Sequence, residues 1–445
     1  MGGITGGAAK LGRVVSVAPT KVGPRTVQGV YPLAAWLALV GLIVPAEMTL
    51  RPAGIAITPG RVGVILLLFP AIYVLYERGS RVLLSDLFVC ATGAWMVGAA
   101  VYVSGWGAIS SAPGAESVEF LGSYLVARAF FFGPVALTTF IRVLKFLAIV
   151  LIMLALAEFI SGIPIVHYIF SAIFGAKPAV VSYRLNSLRG MATFDHAILF
   201  GAFCPLVAAI LLYWERNALR KALWVGLCFI GCIASLTSVA LMSFFMVLAV
   251  YTYDRTMRQY RWRWRTLWMA LAIFLLAIYL ATNAPLGWVI THLTFDPENG
   301  YFRYMIWDAA LVYISQAPLA GYAYNLLHHE LLDTTVDSVW LVSSLHYGVP
   351  MIVFLLLANL AASLPTRTLK NRSTDNISRM STAFSIVLTM FLFMGLTVHY
   401  WNFMWIFWGL CIGIRASLRE LSTQAARRPS AINVSSTFMT AGVSQ

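Results

Sequence analysis

Several arginines stand beside acids, histidines and glycines in a chain that is otherwise strongly apolar. Arg189 closes the run Arg184-Leu-Asn-Ser-Leu-Arg189-Gly190-Met-Ala-Thr-Phe-Asp195-His196, just before an apolar stretch. Arg303 follows Asn299-Gly300-Tyr301-Phe302. A guanidinium grips phosphate oxygens in a two-pronged fashion. If Arg303 opens a helix, the free N–H groups of the first turn would add to an anion site there. The alternative is a pair of arginines that snorkel toward a membrane surface. Proton acceptors come from a second stretch, His328-His329-Glu330, Asp333, Asp337 and His346. A carboxylate or imidazole here could take a proton from a hydroxyl. His328 and His329 are adjacent and point to different faces of a helix, and any one of these groups could equally be a solvated loop residue. Asp296-Pro297-Glu298 spaces two acids as some metal motifs do, but Asp-Pro-Glu-Asn-Gly also reads as turn chemistry. No metal site is therefore expected, and no HExxH, P-loop or GxSxG sequence occurs.

The elements that must position these residues are membrane helices. The 445 residues are 60% hydrophobic and 11% charged, with a mean hydropathy of +0.81. That leaves too little polar surface for a soluble domain. The apolar residues come in blocks near 30–48, 61–77, 83–104, 118–135, 137–160, 196–214, 222–236, 238–253, 266–284, 347–363, 382–397 and 401–416, most of them long enough to span a bilayer. Ser235-Leu236-Thr237-Ser238 divides the run from Ala222 to Tyr253, as a turn or an unwound point. The net charge of +14 does not indicate nucleic acid, because the basic residues sit in short loops between the apolar blocks. With both termini cytoplasmic, about 24 of the 31 Lys and Arg fall on one side, as the positive-inside rule requires. The five cysteines lie in apolar blocks and suggest no disulfide framework or metal knuckle.

The expected fold is thus an all-α polytopic membrane protein of about 12 transmembrane helices. Residues 1–29 and 417–445 would be disordered cytoplasmic tails, and 30–416 the membrane domain. Two outside segments are substantial, near 161–195 and 285–346. Tyr304, Trp307, Leu311 and Ile314 recur at helical spacing in the second, which predicts an amphipathic helix. A second short helix would carry Leu326, Leu327 and Leu331. Ionisable groups deep inside the spans are few: Glu158 near an outer end, Asp86 near an inner end and Arg128 mid-span. An ion-coupled transporter would bury a chain of them.

This pattern resembles the O-antigen ligase and polysaccharide polymerase family of bacterial inner membranes, across roughly residues 30 to 416. Arg189-Gly190 followed by Phe194, Asp195 and His196 is similar to the family's Arg-x-x-Gly-x-Phe-x-His stretch. Ser235-Leu-Thr-Ser238 sits where many members have Thr-x-Ser-Arg-Gly, with Val239 in place of the arginine. Tyr301-Phe-Arg303-Tyr-Met-Ile-Trp307 and then Pro318-Leu-Ala-Gly321-Tyr resembles Arg-x-x-x-Trp…Pro-x-x-Gly-x-Gly, the strongest match. The closing His-Asn-x-x-Leu reads Asp337-Ser338-Val-Trp-Leu341 here, followed by His346-Tyr-Gly348. Aspartate stands where the ligases carry the histidine taken as the acceptor-activating base. A carboxylate can make the same proton transfer, as in related cell-wall glycan polymerases.

The resemblance implies a glycosyltransferase acting on undecaprenyl-diphosphate-linked oligosaccharides at the outer face of the bacterial inner membrane. Arg189 and Arg303, joined by Arg184, would neutralise the leaving diphosphate without metal or cofactor. Asp337 would orient or deprotonate the acceptor hydroxyl, with His329 or Asp195 in reserve. His196 and Trp307 would line the substrate site, and outer-loop aromatics would stack on sugars or form an interfacial belt. The reaction expected first is polymerisation of repeat units of an exopolysaccharide or O-antigen. A chain-length regulator and a repeat-unit flippase would be partners. The alternatives are a ligase that moves glycan onto lipid A core and a flippase or exporter without catalysis.

Overall fold

The structure, a computed structural model, describes residues 31–45, 48, 49, 57–175, 180–282, 287, 288, 297–365 and 372–427. Arg51, Lys177, Asp296 and the segments 1–29 and 428–445 lie outside the described residues. In chain order the helices are α1 (Pro32–Ala38), α2 (Pro59–Glu77), α3 (Leu84–Ser104), α4 (Ala112–Ser117), α5 (Ser123–Phe130), α6 (Pro134–Ser161) and α7 (Ile165–Phe174). A π-helical turn, Val118–Gly122, joins α4 to α5. A two-stranded hairpin follows, β1 (Tyr183–Arg184) antiparallel to β2 (Ser187–Leu188). Then come α8 (Ala197–Trp214), α9 (Ala218–Ala234), α10 (Ser238–Thr256), α11 (Arg263–Ala281), α12 (Pro297–Gln316), α13 (Glu330–Thr334), α14 (Val339–Tyr347), α15 (Val349–Ser363), α16 (Arg372–Met394) and α17 (Phe403–Arg427).

The chain is built almost wholly of α-helices. Among the described residues, six helices are long and apolar enough to cross a membrane: α2, α3, α6, α8, α11 and the stretch Asn376–Met394 of α16. These helices mark a membrane protein, because in a bilayer every backbone polar group must be satisfied within its own segment. Two equally apolar helices occupy opposite environments. The spanning window of α8 is 89% buried and that of α11 is 6% buried. α8 is therefore a core helix packed by α9, α10 and α16, whereas α11 presents apolar side chains such as Leu280 and Tyr279 outward on nearly every face.

α17 forms the other half of the core. Its Trp408 stacks on Phe391 of α16 at 5.2 Å and donates its indole N–H to Asn359 Oδ1 of α15 at 3.0 Å. α17 also crosses α5 at Gly409 and Gly413, where a Cβ would stand 2.1 Å from Ser123 Oγ and 2.5 Å from the Tyr124 carbonyl. Small residues at i and i+4 let the two backbones touch. At one end of this crossing Arg128 of α5 is enclosed by charge partners. Its Nη1 meets Glu420 Oε2 at 2.8 Å and its Nε meets Asp86 Oδ1 at 3.2 Å, while Nη2 donates to the Arg81 carbonyl at 2.9 Å. A guanidinium this deep is tolerated only with such compensation.

Four expectations need correction. α17 is one continuous helix to Arg427, with Leu418 and Glu420 buried, so residues 417–427 are helical where a disordered tail is expected. The helix exists, but its apolar side chains are not gathered on one face: Ile306, Ala310 and Ile314 are buried, while Leu311 is 48% exposed. The short helix after it begins at Glu330, so Leu326 and Leu327 precede it. α12 starts at Pro297, which puts Arg303 in its second turn, away from the free N–H groups of the helix start.

Candidate functional site: an arginine cluster with one aspartate

Four of the sequence-selected residues converge on one end of the bundle. The hairpin turn between β1 and β2 has Leu185 and Asn186 at φ +51° and +59°, the paired left-handed residues of a tight two-residue loop. This turn folds Arg184 and Arg189 back over the break between α9 and α10. Leu236 at the break has φ +46°, and the helix ends with its last carbonyls pointing outward, where cations are favoured. Arg189 Nε donates to the Ser235 carbonyl at 3.1 Å, and its Nη1 donates to Ser182 Oγ at 3.3 Å. Arg184 Nη1 donates to the Leu236 carbonyl at 3.1 Å and to Ser238 Oγ at 3.4 Å. The Gly190 N–H to Ala234 carbonyl bond, 2.8 Å, closes the seam. Each arginine is thus held by one edge. Among the described residues, Arg189 Nη2 has no hydrogen-bond partner.

Arg303 and Asp337 arrive from the other side on a separate packed pair. α12 lies against α14 through Ile306, Ala310 and Ile314, with Leu332, Leu341 and Leu345 opposite. At the end of this pair away from Arg303 the segment Pro318–Ala323 is spliced to α14. The Tyr322 N–H donates to the Leu345 carbonyl at 2.6 Å, the Ala323 N–H to the His346 carbonyl at 2.9 Å, and the Val349 N–H to the Pro318 carbonyl at 2.8 Å. Gly321 is required in this splice, since it has φ +65° and a Cβ there would lie 2.4 Å from the Leu345 carbonyl oxygen. At the other end Asp337 precedes Ser338, whose Oγ donates to the Gly395 carbonyl at 2.9 Å. The start of α14 is therefore anchored to the loop between α16 and α17.

Electrostatics tie the two halves together. Asp337 feels the charges of Arg303 and Arg189. Arg189 feels Arg184, Arg303 and Asp337, and Arg303 feels Asp337 and Arg184. Asp337 is open to solvent on one side and crowded by protein on the others, as in a cleft. Loss of water around it raises its pKa above the usual carboxylate value, and the two arginines hold that rise in check. Desolvation lowers the pKa of Arg189 to about 10, with repulsion from Arg184 and Arg303 adding to it. Three crowded guanidiniums facing one carboxylate carry an excess of positive charge, the condition that suits an incoming anion.

The remaining candidates lie around this cluster or apart from it. His196 caps α8, its Nδ1 accepting the Ile198 N–H at 3.1 Å. Burial, then Arg189, lowers its pKa to about 4, so it is neutral. Asp195 Oδ2 accepts from Asn402 Nδ2 at 2.7 Å. His329 belongs to the packing around α12, its ring edge-on to Tyr313 at 5.6 Å, and Trp307 is packed in the same apolar cluster. An apolar cavity of about 750 Å³ lies near the spliced end, lined by Trp95, Tyr102, Pro318, Leu319 and Phe354 among others. It holds none of the charged candidates.

Sequence reasoning missed two carboxylates, Glu116 and Glu119, near the spliced end of α14. Glu116 accepts from the hydroxyls of Tyr324 and, at 2.9 Å, Tyr347. Glu119 pairs with Arg61 at 3.0 Å. Their partners lie far away in sequence, so no local spacing announces them. Comparison with protein-family models and with curated proteins returns no match for this chain. The family likeness therefore rests on the sequence motifs alone.

Proposed function

We propose that the chain is a membrane glycosyltransferase that polymerises undecaprenyl-diphosphate-linked repeat units of an exopolysaccharide or O-antigen. The reading places it in the bacterial inner membrane with about 12 spans, both termini cytoplasmic and the 285–346 segment periplasmic. The observation that carries it is the cluster in which Arg303 and Arg189 act on Asp337, with Arg184 beside both arginines. In one direct displacement the acceptor hydroxyl oxygen bonds to the anomeric carbon. The bond from that carbon to the diphosphate oxygen breaks, its electron pair leaves with undecaprenyl diphosphate, and the configuration inverts. The hydroxyl proton passes to the Asp337 carboxylate. The arginines neutralise the departing diphosphate in place of a metal ion. The polyprenyl tail lies against the apolar helices.

Aspartate at position 337, where the ligases have histidine, favours polymerase over ligase. Against an exporter, the buried charges of Arg128, Asp86 and Glu420 are bound to one another as a clamp and do not form a relay through the bundle. The test is polymer formation in cells that lack the native enzyme, complemented with Arg303 and Asp337 variants at checked protein levels. Normal polymer from both Arg303→Ala and Asp337→Asn would overturn the proposal.

A further inference from the structure

A row of rings leads away from the arginine cluster across the same face. His196, which feels Arg189, has its ring 6.5 Å from Trp401. Trp401 is 5.4 Å from His399. His399 is within electrostatic reach of His346, and His346 packs on Tyr324 at 4.1 Å. The Tyr324 hydroxyl ends the row on the Glu116 carboxylate. None of these six side chains is fully buried, and Tyr324 is 45% exposed. The row runs beside α14, whose nine residues rise about 13 Å, which is room for more than one sugar ring.

The chemistry of the row is specific. Arg189 stands at its start, and the Arg61 charge that reaches Glu116 at its end is paired with Glu119, so the row between them suits neutral sugars. Burial lowers the pKa of His346 to about 3 and that of His399 to about 4, so both imidazoles are neutral and can donate and accept hydrogen bonds. His399 is half-buried, so the open edge of its ring is available to a bound hydroxyl. An interfacial belt of aromatics would stand at the bundle's rim. Here His399 and Trp401 lie in the loop between α16 and α17, over the core.

We propose that this row, from His196 to Glu116, binds the sugar units of a glycan chain. Ring faces would stack on the C–H faces of the sugars, and the imidazoles and the carboxylate would bond their hydroxyls. The inference rests on the glycosyltransferase reading and supplies its sugar-binding track.

The test uses the full chain in lipid nanodiscs. The probe is a set of two- to six-sugar fragments, obtained by mild acid hydrolysis of the polysaccharide made by cells carrying this protein. Binding is read by saturation-transfer NMR and tryptophan fluorescence. The wild type binds the fragments. Tyr324→Ala and His399→Ala weaken binding by roughly three- to tenfold each, and Tyr324→Phe, which keeps the ring, loses less. Arg303→Ala keeps fragment binding, because the fragments carry no diphosphate. Fragments that fail to bind the wild type, or bind Tyr324→Ala and His399→Ala as tightly as wild type, overturn the track. In that event a loss of polymer in Arg303→Ala cells would still uphold the transferase. Fragment binding that follows the ring variants, with normal polymer from Arg303→Ala and Asp337→Asn, would sink the transferase instead.

Discussion

Arg189 donates its Nε–H to the carbonyl oxygen of Ser235 at 3.1 Å, at the point where α9 ends and the chain unwinds before α10. One bond thus fixes the orientation of a guanidinium and satisfies an orphan carbonyl of a broken helix. The planar fork is held through Nε and Nη1, and among the described residues Nη2 has no hydrogen-bond partner. Arg303 has no such tether to the break; it is set by the packing of α12 on α14.

Arg303→Ala should lower polymer formation by roughly two orders of magnitude at unchanged protein level, the usual cost of removing one fixed donor from a developing oxyanion. Arg303→Lys should restore only part, because an ammonium cannot reproduce the bidentate fork. Equal activity of the two variants would show that Arg303 supplies packing and no charge contact.

Asp337→Asn should reduce turnover by about 10²–10⁴-fold, and Asp337→His should retain some activity. The pH profile gives an independent check. Asp337 acts as a base only when ionised, and its pKa is raised above the ordinary aspartate value by desolvation. Activity should therefore be full at higher pH and fall as pH drops through that raised pKa, earlier than for a solvated aspartate. Turnover in nanodiscs from pH 4 to 8 measures this. An acid limb that is unchanged in Asp337→His would assign it to another group.

Gly321→Ala should damage the splice that holds α12 to α14. The left-handed backbone and the contact with the Leu345 carbonyl together should cost about 1–3 kcal/mol and lower both melting temperature and turnover. Gly98→Ala is the control, since a Cβ there meets open space on α3. Matching melting curves for the two variants would show that the splice bears no load.

Reporter fusions at Ser373 and Pro318 should give signals from opposite sides of the membrane, following the distribution of Lys and Arg. Signals from the same side would mean that an odd number of crossings between them has been misread.

Much of the cluster is legible in the sequence because Arg184, Arg189 and Arg303 fall in segments expected outside, where the positive-inside rule disfavours arginine, and stand beside motif residues. The Ser235–Ser238 break is legible because its polar run divides an apolar block that is long for one span. The end of α17 is not, since Arg415, Arg419 and Glu420 look like an exit from the membrane. Their charges are absorbed by distant groups instead: Arg415 Nη2 donates to the Ser363 and Leu364 carbonyls, and Arg419 Nη1 to the Ala361 carbonyl. Glu116 is illegible for the same reason, as Tyr324 and Tyr347 meet it only through the fold.

The clamp around Arg128 has a consequence for how the protein is made. Arg128 finds Asp86 soon after both are synthesised, but Glu420 lies 292 residues further on. At 5–20 residues per second the ribosome needs about 15–60 s to reach it. Throughout that interval α5 carries a guanidinium that lacks one of its two counter-charges. The clamp is therefore completed only when α17, the last described helix, is made.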